Sequence, residues 1–145
     1  MENDLERFVV AQEKKYIIAL EEIKSGLKTG HWMWFVCPQV EGLGRTSTSN
    51  FYGIKGLDEA KEYLNHQILG PRLKEITNEL LLLEGLDAEQ IFGFPDCLKL
   101  RSSMTLFNLV DDTEDNLFRR VLDKFYDGQS DDKTLGLLKT PFGCI

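Results

Sequence analysis

The sequence predicts an all-α fold, a single domain over residues 1–145 that is built as an irregular array of about six helices. Three observations favour this fold. Apolar residues recur at helical spacing, turn and cap residues punctuate the helical segments, and the period-two alternation of strands is absent. A chain of 145 residues with 42% hydrophobic composition is long enough for one buried core.

The first predicted helix is long, with Asp4 as its N-cap and Gly30 at its end. Its apolar positions are spaced for one buried face: Leu5, Phe8, Val9, Tyr16, Leu20, Ile23 and Leu27. An aromatic segment follows and is interrupted by Pro38. Residues 42–50 are rich in turn formers, and we predict an ordered loop there.

The remaining helices are predicted from their start and stop residues. Asp58 is expected to cap a helix through Leu64, and Pro71 is expected at the first position of a helix that ends near Glu84, before Gly85. Four further starts are Asp87 before AEQIF, Pro95 in PDCLKLRSSMTLFNLV, Thr113 before EDNLFRRVLDKFY, and Asp131 or Asp132 before KTLGLLK.

Charge and cysteine usage exclude several classes of protein. A formal net charge of −7 argues against general binding of nucleic acid or anionic membranes, which need clustered Lys and Arg. The N-terminal MENDLERF lacks the features of a secretory signal, and no apolar run reaches membrane-spanning length. The three cysteines, Cys37, Cys97 and Cys144, are odd in number and widely spaced, so they do not form the pattern of a disulfide framework. We interpret them as reduced thiols. We therefore expect a cytoplasmic protein.

The segment His31–Asn50 is the first candidate for a functional site, because it places both tryptophans beside a hydroxyl-rich turn. Trp32 and Trp34 could stack a planar ligand, but burial in the core is the commoner fate of large aromatic side chains. Helical spacing turns the two side chains in different directions. One tryptophan can therefore be structural while the other borders a cleft.

The loop GLGRTSTS, residues 42–49, is a candidate anion site, since it combines flexible backbone, hydroxyl groups and Arg45. It lacks the lysine of a P-loop and the third glycine of a dinucleotide fingerprint. A plain surface loop would have the same composition. Arg72, in the first turn of its helix, and Arg101 could reach the same anion, although Arg101 could equally pair with carboxylates of this acidic chain.

Two other polar residues have a structural and a functional interpretation. Gln12 falls on the buried stripe of the first helix, so its amide either satisfies neighbouring backbone groups, the commoner case, or contacts a ligand. His31 follows a helix end and precedes Trp32, a setting in which a histidine can act as an acid–base residue. The commoner alternative is a histidine that hydrogen-bonds loop backbone.

No metal or cofactor site is predicted. The chain has no C-x-x-C or H-x-x-x-H spacing, and its histidines and cysteines are scattered. The acidic run over residues 127–132 resembles a calcium loop only superficially, because Asp132 occupies the position that requires glycine. We interpret these aspartates as turn and cap residues.

Several blocks carry a resemblance that spans nearly the whole chain: FVVAQ, GLKTGHWMWFVCPQVEGLG, EAKEYLNHQILGPRL, LKLRSSMTLF and VLDKFYDGQSDDKTLGLL. In this order they resemble a bacterial family, the domain-of-unknown-function 1810 family, whose members are sometimes mislabelled calpastatin. The resemblance implies a small, all-helical, single-domain protein and no established reaction. The chain departs from the family pattern at Cys37, Arg45-Thr46 and Gln67, which argues against a thiol role for Cys37.

Two functions remain open. The first is binding, with or without chemical processing, of a small anionic, nucleotide-like metabolite in an aromatic-lined pocket. Its predicted residues are His31 as the acid–base group and, as ligand contacts, Gln12, Trp32, Trp34, Gln39, Gly44, Arg45, Thr46, Ser47, Arg72, Arg101, Ser102 and Ser103. The second is a non-catalytic module that binds another protein or a second copy of itself.

Overall fold

A computed structural model describes residues 4–138, and this part of the chain folds into helices without a β-sheet. The helices are α1 (Glu6–Gln12), α2 (Tyr16–Ser25), α3 (Met33–Val36), α4 (Ser47–Phe51), α5 (Leu57–Asn65), α6 (Leu69–Leu82), α7 (Ala88–Phe92), α8 (Asp96–Val110), α9 (Leu117–Tyr126) and α10 (Asp132–Leu138). The all-α prediction is confirmed. These ten described helices exceed the expected number of about six: the seven helix starts assigned in the sequence become ten because the first helix is split and because α3 and α4 were not predicted.

Helix α8 is the central element of the fold. It is buried continuously from residue 102 to residue 107, and α3, α5, α7, α9 and α10 all pack against it. A helix surrounded in this way has no solvent-facing side over those turns, which is why its sequence lacks a clear apolar stripe. Helix α9, by contrast, is amphipathic and covers α8 with Phe118, Val121 and Leu122.

A line of four aromatic rings runs through the core. Phe8 of α1 meets Tyr63 of α5 at 5.1 Å between ring centroids, in an edge-to-face arrangement. Tyr63 meets Phe107 of α8 at 5.3 Å, and Phe107 meets Phe118 of α9 at 5.8 Å. All four side chains are fully buried. Pairs at these distances stabilise packing beyond their buried area, so this line joins the first helix to the centre of the fold.

The prediction of one continuous helix from Asp4 to Gly30 is wrong. Helix α1 ends at Gln12, a turn spans residues 13–15, and α2 ends at Gly26, which adopts a left-handed conformation with φ 86°. The reason is that the two halves have different neighbours, since α1 packs on α3 and α2 packs on α6. Asp4 makes no cap, because the residue at the N-cap position is Leu5.

The segment from His31 to Ile54 contains two short helices where we expected an aromatic stretch and a loop. Helix α3 is a single turn, and α4 begins within the predicted loop because Thr46 caps it, its Oγ1 accepting from the Ser49 N–H at 3.0 Å. The loop prediction for residues 42–50 is therefore correct only as far as Thr46. A hydroxyl residue before a short polar run is an N-cap signal that we assigned to a loop.

Several predicted helix boundaries shift by a few residues. Asp87 caps α7 as predicted, in a capping box with Gln90. Asp58 and Thr113 are not caps, since α5 starts after Gly56 and α9 is capped by Asn116. Helix α6 starts two residues before Pro71 and ends at Leu82, and Asp131 caps α10. The predicted end of the last helix at Lys139, like Cys144, lies outside the described residues.

No helix within residues 4–138 has both the length and the apolar character needed to cross a membrane.

Candidate functional site

An open groove lies between the hydroxyl-rich loop and the N-terminal half of α8, and it also borders the start of α10. Its volume is about 510 Å³. Seven predicted site residues line it: Trp34, Gln39, Gly44, Arg45, Thr46, Arg101 and Ser102. The other lining residues are Leu43, Ser49, Pro95, Leu98, Lys99, Asp131, Asp132 and Lys133. The groove is thus assembled from three segments that are far apart in sequence.

The loop that forms one wall of the groove is closed at its base. Val40 and Ile54 form an isolated parallel β-bridge, in which Ile54 N–H donates to the Gln39 carbonyl at 2.8 Å and Glu41 N–H donates to the Ile54 carbonyl at 2.7 Å. At the tip, the Thr46 hydroxyl donates to Ser49 Oγ at 3.1 Å. These bonds give an exposed, polar loop a defined shape.

A buried ion pair anchors the same loop to the body of the protein. Arg7 and Glu59 are 9% and 1% exposed, and both terminal nitrogens of Arg7 contact the Glu59 carboxylate, at 3.1 and 3.2 Å. Arg7 also donates to the carbonyls of Phe51 and Gly53, at 2.8 and 2.9 Å. The end of α4 is therefore held by a guanidinium in α1, a contact that spans 44 residues.

Trp34 is the aromatic wall of the groove, and a cation covers it. The Lys99 ammonium lies 3.6 Å from the centroid of the Trp34 ring. Lys99 is also paired with Asp96 at 3.3 Å, and the other oxygen of Asp96 is 2.6 Å from the Lys28 ammonium. Asp96 is therefore shared between two cations at the start of α8.

Trp32 faces the opposite way, into the core, where it is 1% exposed. Its indole N–H donates to the Glu22 carboxylate at 2.8 Å, and the same carboxylate accepts from the backbone N–H groups of Thr29 and Gly30. Burial raises the pKa of Glu22, but the hydrogen bonds from Gly30, Trp32 and Thr29 outweigh it and lower the pKa from 4.5 to about 2. Trp32 is a structural residue, and Trp34 is the one that borders the groove.

Arg101 supports the opposite wall of the groove. Its guanidinium donates to the carbonyls of Gln129 and Ser130, at 3.1 and 2.8 Å. One turn along α8, Thr105 Oγ1 accepts from the Asp131 N–H at 2.9 Å. These contacts fix the chain where it enters α10. Within residues 4–138 Arg101 therefore pairs with no carboxylate, and two of its nitrogens are bonded to backbone carbonyls, which leave its positive charge at the groove unneutralised.

Gln12 and Arg72 lie together, but they are away from the groove. The Gln12 amide donates to the Phe35 carbonyl at 2.6 Å and to the Tyr63 hydroxyl at 3.0 Å, and its oxygen accepts from Arg72 at 3.3 Å. All of these partners belong to the protein. The structure thus gives Gln12 the structural environment that we considered commoner for a buried amide.

Three other predicted residues also lie outside the groove lining. His31 and Ser47 are exposed at the surface and are not among its lining residues. Ser103 is fully buried in α8, and its hydroxyl has no hydrogen-bond partner within residues 4–138. A small side chain at this position lets neighbouring helices approach α8 closely.

The charges of the groove differ from those of the whole chain. Four cations line it, Arg45, Lys99, Arg101 and Lys133, together with two carboxylates, Asp131 and Asp132. From the sequence, the two aspartates were interpreted as turn and cap residues, and Lys133 was not assigned to a site. No local signal could have found them, because they reach the groove only through the packing of α10 against α8.

The described part of the chain holds no group of three metal-ligating side chains. The thiols of Cys37 and Cys97 are unpaired and buried. Burial raises the pKa of Cys37 from 9.0 to about 12, so this thiol stays protonated and is a weak nucleophile at neutral pH.

Comparisons with known proteins place the chain in a family. A crystal structure of the conserved hypothetical protein Rv1873 from Mycobacterium tuberculosis is similar, with a TM-score of 0.91 and 49% sequence identity over 93% of this chain and 96% of that chain. A comparison with curated protein sequences returns no match. Residues 2–138 match the family described as "Protein of unknown function (DUF1810)". The chain therefore belongs to the DUF1810 family.

Proposed function

We propose that the protein binds a small anionic, nucleotide-like metabolite in the groove beside Trp34. The observation that carries this proposal is the reversal of charge, since a chain with a net charge of −7 lines its groove with four cations and two carboxylates around an aromatic ring. A volume of about 510 Å³ suits such a ligand.

The parts of the groove have complementary roles in this proposal. Trp34 offers a ring on which a planar base can stack. Arg45 and Lys133 lie exposed at the groove, and the ion pairs found within residues 4–138 involve neither of them. These two cations can therefore pair with a phosphate or carboxylate. Gly44 serves the loop itself, because a Cβ atom at this position would lie 2.6 Å from Ser49 Oγ.

The proposal is one of binding, without a catalytic step. His31, the predicted acid–base residue, does not line the groove and so has no reacting group within reach there. Arg72, Gln12, Ser47, Trp32 and Ser103 are likewise not assigned to the ligand.

Thermal unfolding with a panel of nucleotides and sugar phosphates tests the proposal. A ligand at a hundred times its Kd should stabilise the protein by about 2.7 kcal/mol. Arg45→Ala should raise the Kd of the ligand by about tenfold, since it removes a charged hydrogen-bond donor, and the thermal shift should fall accordingly. Lys61→Ala, which removes an exposed cation from α5 outside the groove, is the matched control and should respond like the wild type. An unchanged melting temperature across the whole panel would rule the proposal out.

A further inference from the structure

We infer that Lys99 controls access to Trp34, so that the groove selects ligands which carry a planar ring and an anion in the same molecule. This inference rests on the proposed function and assigns Lys99 the role of a specificity-determining residue. It is carried by the position of the Lys99 ammonium, 3.6 Å from the centroid of the Trp34 ring.

A stacked base and the Lys99 ammonium cannot occupy the same place. Aromatic carbons in contact lie about 3.5–4.0 Å apart, which is the space that the ammonium fills above Trp34. Lys99 and Trp34 both line the groove, so the ammonium covers the ring at the groove. A base that stacks there must move the ammonium and give up its attraction to the ring.

The ammonium is held in a way that lets it move. Its partner Asp96 lies at 3.3 Å, but the same carboxylate is closer to Lys28, at 2.6 Å. Lys28 therefore neutralises much of the charge that holds Lys99. A phosphate or carboxylate entering beside Trp34 would be an unshared partner for Lys99, and a charge-assisted hydrogen bond to it is stronger than a contact with a shared carboxylate.

These contacts predict different outcomes for three kinds of ligand. A nucleoside gains stacking on Trp34, but the Lys99 ammonium loses its contact with the Trp34 ring. A sugar phosphate pairs with Lys99 but has no base to stack. A nucleoside monophosphate does both, because the ammonium displaced by its base can pair with its own phosphate. The protein should therefore bind the nucleotide more tightly than either half.

The test is calorimetric titration of the wild type and of Lys99→Ala with nucleosides, the matching nucleoside monophosphates and ribose phosphate. Removing the ammonium uncovers Trp34, so nucleoside binding should strengthen by about threefold to tenfold. Ribose phosphate should weaken by about tenfold. Lys133→Ala is the matched control, since the cation–π contacts found within residues 4–138 do not involve this groove cation. It should weaken ribose phosphate binding while leaving nucleoside affinity unchanged.

The two proposals fail differently. If nucleotides bind the wild type but Lys99→Ala binds nucleosides no more tightly, Lys99 does not control access to Trp34 and only the inference is overturned. If no probe binds the wild type, the proposed function fails and the inference fails with it. Lys99→Gln, which removes the charge but keeps most of the side chain, serves as the second variant if Lys99→Ala does not fold, and it should change nucleoside and ribose phosphate binding in the same directions.

Discussion

Glu22 is a single carboxylate that organises the connection between α2 and the aromatic segment. It accepts from Thr29 N–H, the Thr29 hydroxyl, Gly30 N–H and the Trp32 indole, at distances between 2.8 and 3.0 Å. The folded state therefore favours the ionised form, with a pKa of about 2 against 4.5 for an unperturbed group. The resulting stability is fully present above pH 4.5 and is lost as the pH falls from there towards 2.

We expect Glu22→Gln to destabilise the protein by about 1–3 kcal/mol at neutral pH, because an amide loses the charge and one acceptor oxygen. The variant should also lose less stability than the wild type between neutral pH and about pH 3. Urea unfolding at both pH values measures the two effects. Glu21→Gln, at an exposed neighbouring position, is the control and should behave like the wild type at both. Equal acid sensitivity of the wild type and Glu22→Gln would contradict this account.

Single residues were predictable where local geometry decides their environment. The different directions of Trp32 and Trp34 were expected from their spacing of two positions, although Trp32 lies at the N-cap of α3 and not within the helix. The partners of Gln12 and Arg101 could not be found in this way, because their hydrogen bonds reach 23 to 60 residues along the chain. Such distances are set by the packing of whole helices, on which a single sequence pattern carries no information.

At the scale of elements, the pattern predicts helices better than it predicts their breaks. The apolar spacing of α1 and α2 was read as one stripe, although it belongs to two helices that pack on different partners. The break at residues 13–15 falls on a run of exposed charged residues that contributes nothing to either buried face. The buried ion pair of Arg7 and Glu59 was not predicted. Charged residues are seldom buried unless they are paired, and these two partners are 52 residues apart in sequence.

The junction of α5 and α6 offers a sharp test of helix packing. A Cβ atom at Gly70 would lie 2.1 Å from the Leu64 carbonyl oxygen, a distance that backbone atoms cannot accommodate without moving. Gly70→Ala should therefore destabilise the protein by about 1–3 kcal/mol, as overpacking does. Gly136→Ala is the matched control in α10, where nothing lies within 4 Å of the added carbon, and should be neutral or stabilising by up to about 1 kcal/mol.

Urea unfolding of the two glycine variants measures this difference directly. Equal stability of Gly70→Ala and Gly136→Ala would contradict the close approach of α5 and α6 at Gly70. Because Gly70 does not have a positive φ, backbone strain cannot account for the expected loss. The loss would report the space between the two helices alone.

At the scale of the whole molecule, chain length and helical periodicity predicted one all-α domain, because both are properties of the sequence itself. The site could be predicted only in part. Trp34 and the hydroxyl loop lie within one segment, whereas the wall formed by Asp132 and Lys133 depends on how α10 meets α8. The groove therefore has a local charge that the total of −7 conceals.

This contrast between groove and surface predicts how the protein treats polyanions. Under the proposed function a mononucleotide lies within the groove, whereas the outer phosphates of an oligonucleotide would meet a surface with an excess of negative charge. At low salt the oligonucleotide should bind at least about tenfold more weakly than the mononucleotide.

Screening shortens the reach of surface charges to about 10 Å at 0.1 M salt, so this difference in affinity should narrow as salt is added. Fluorescence anisotropy across a salt series measures it. A protein that tracks a phosphate backbone shows the opposite trend, binding oligonucleotides most tightly at low salt; that outcome here would mean that the cations form a continuous track extending beyond the groove.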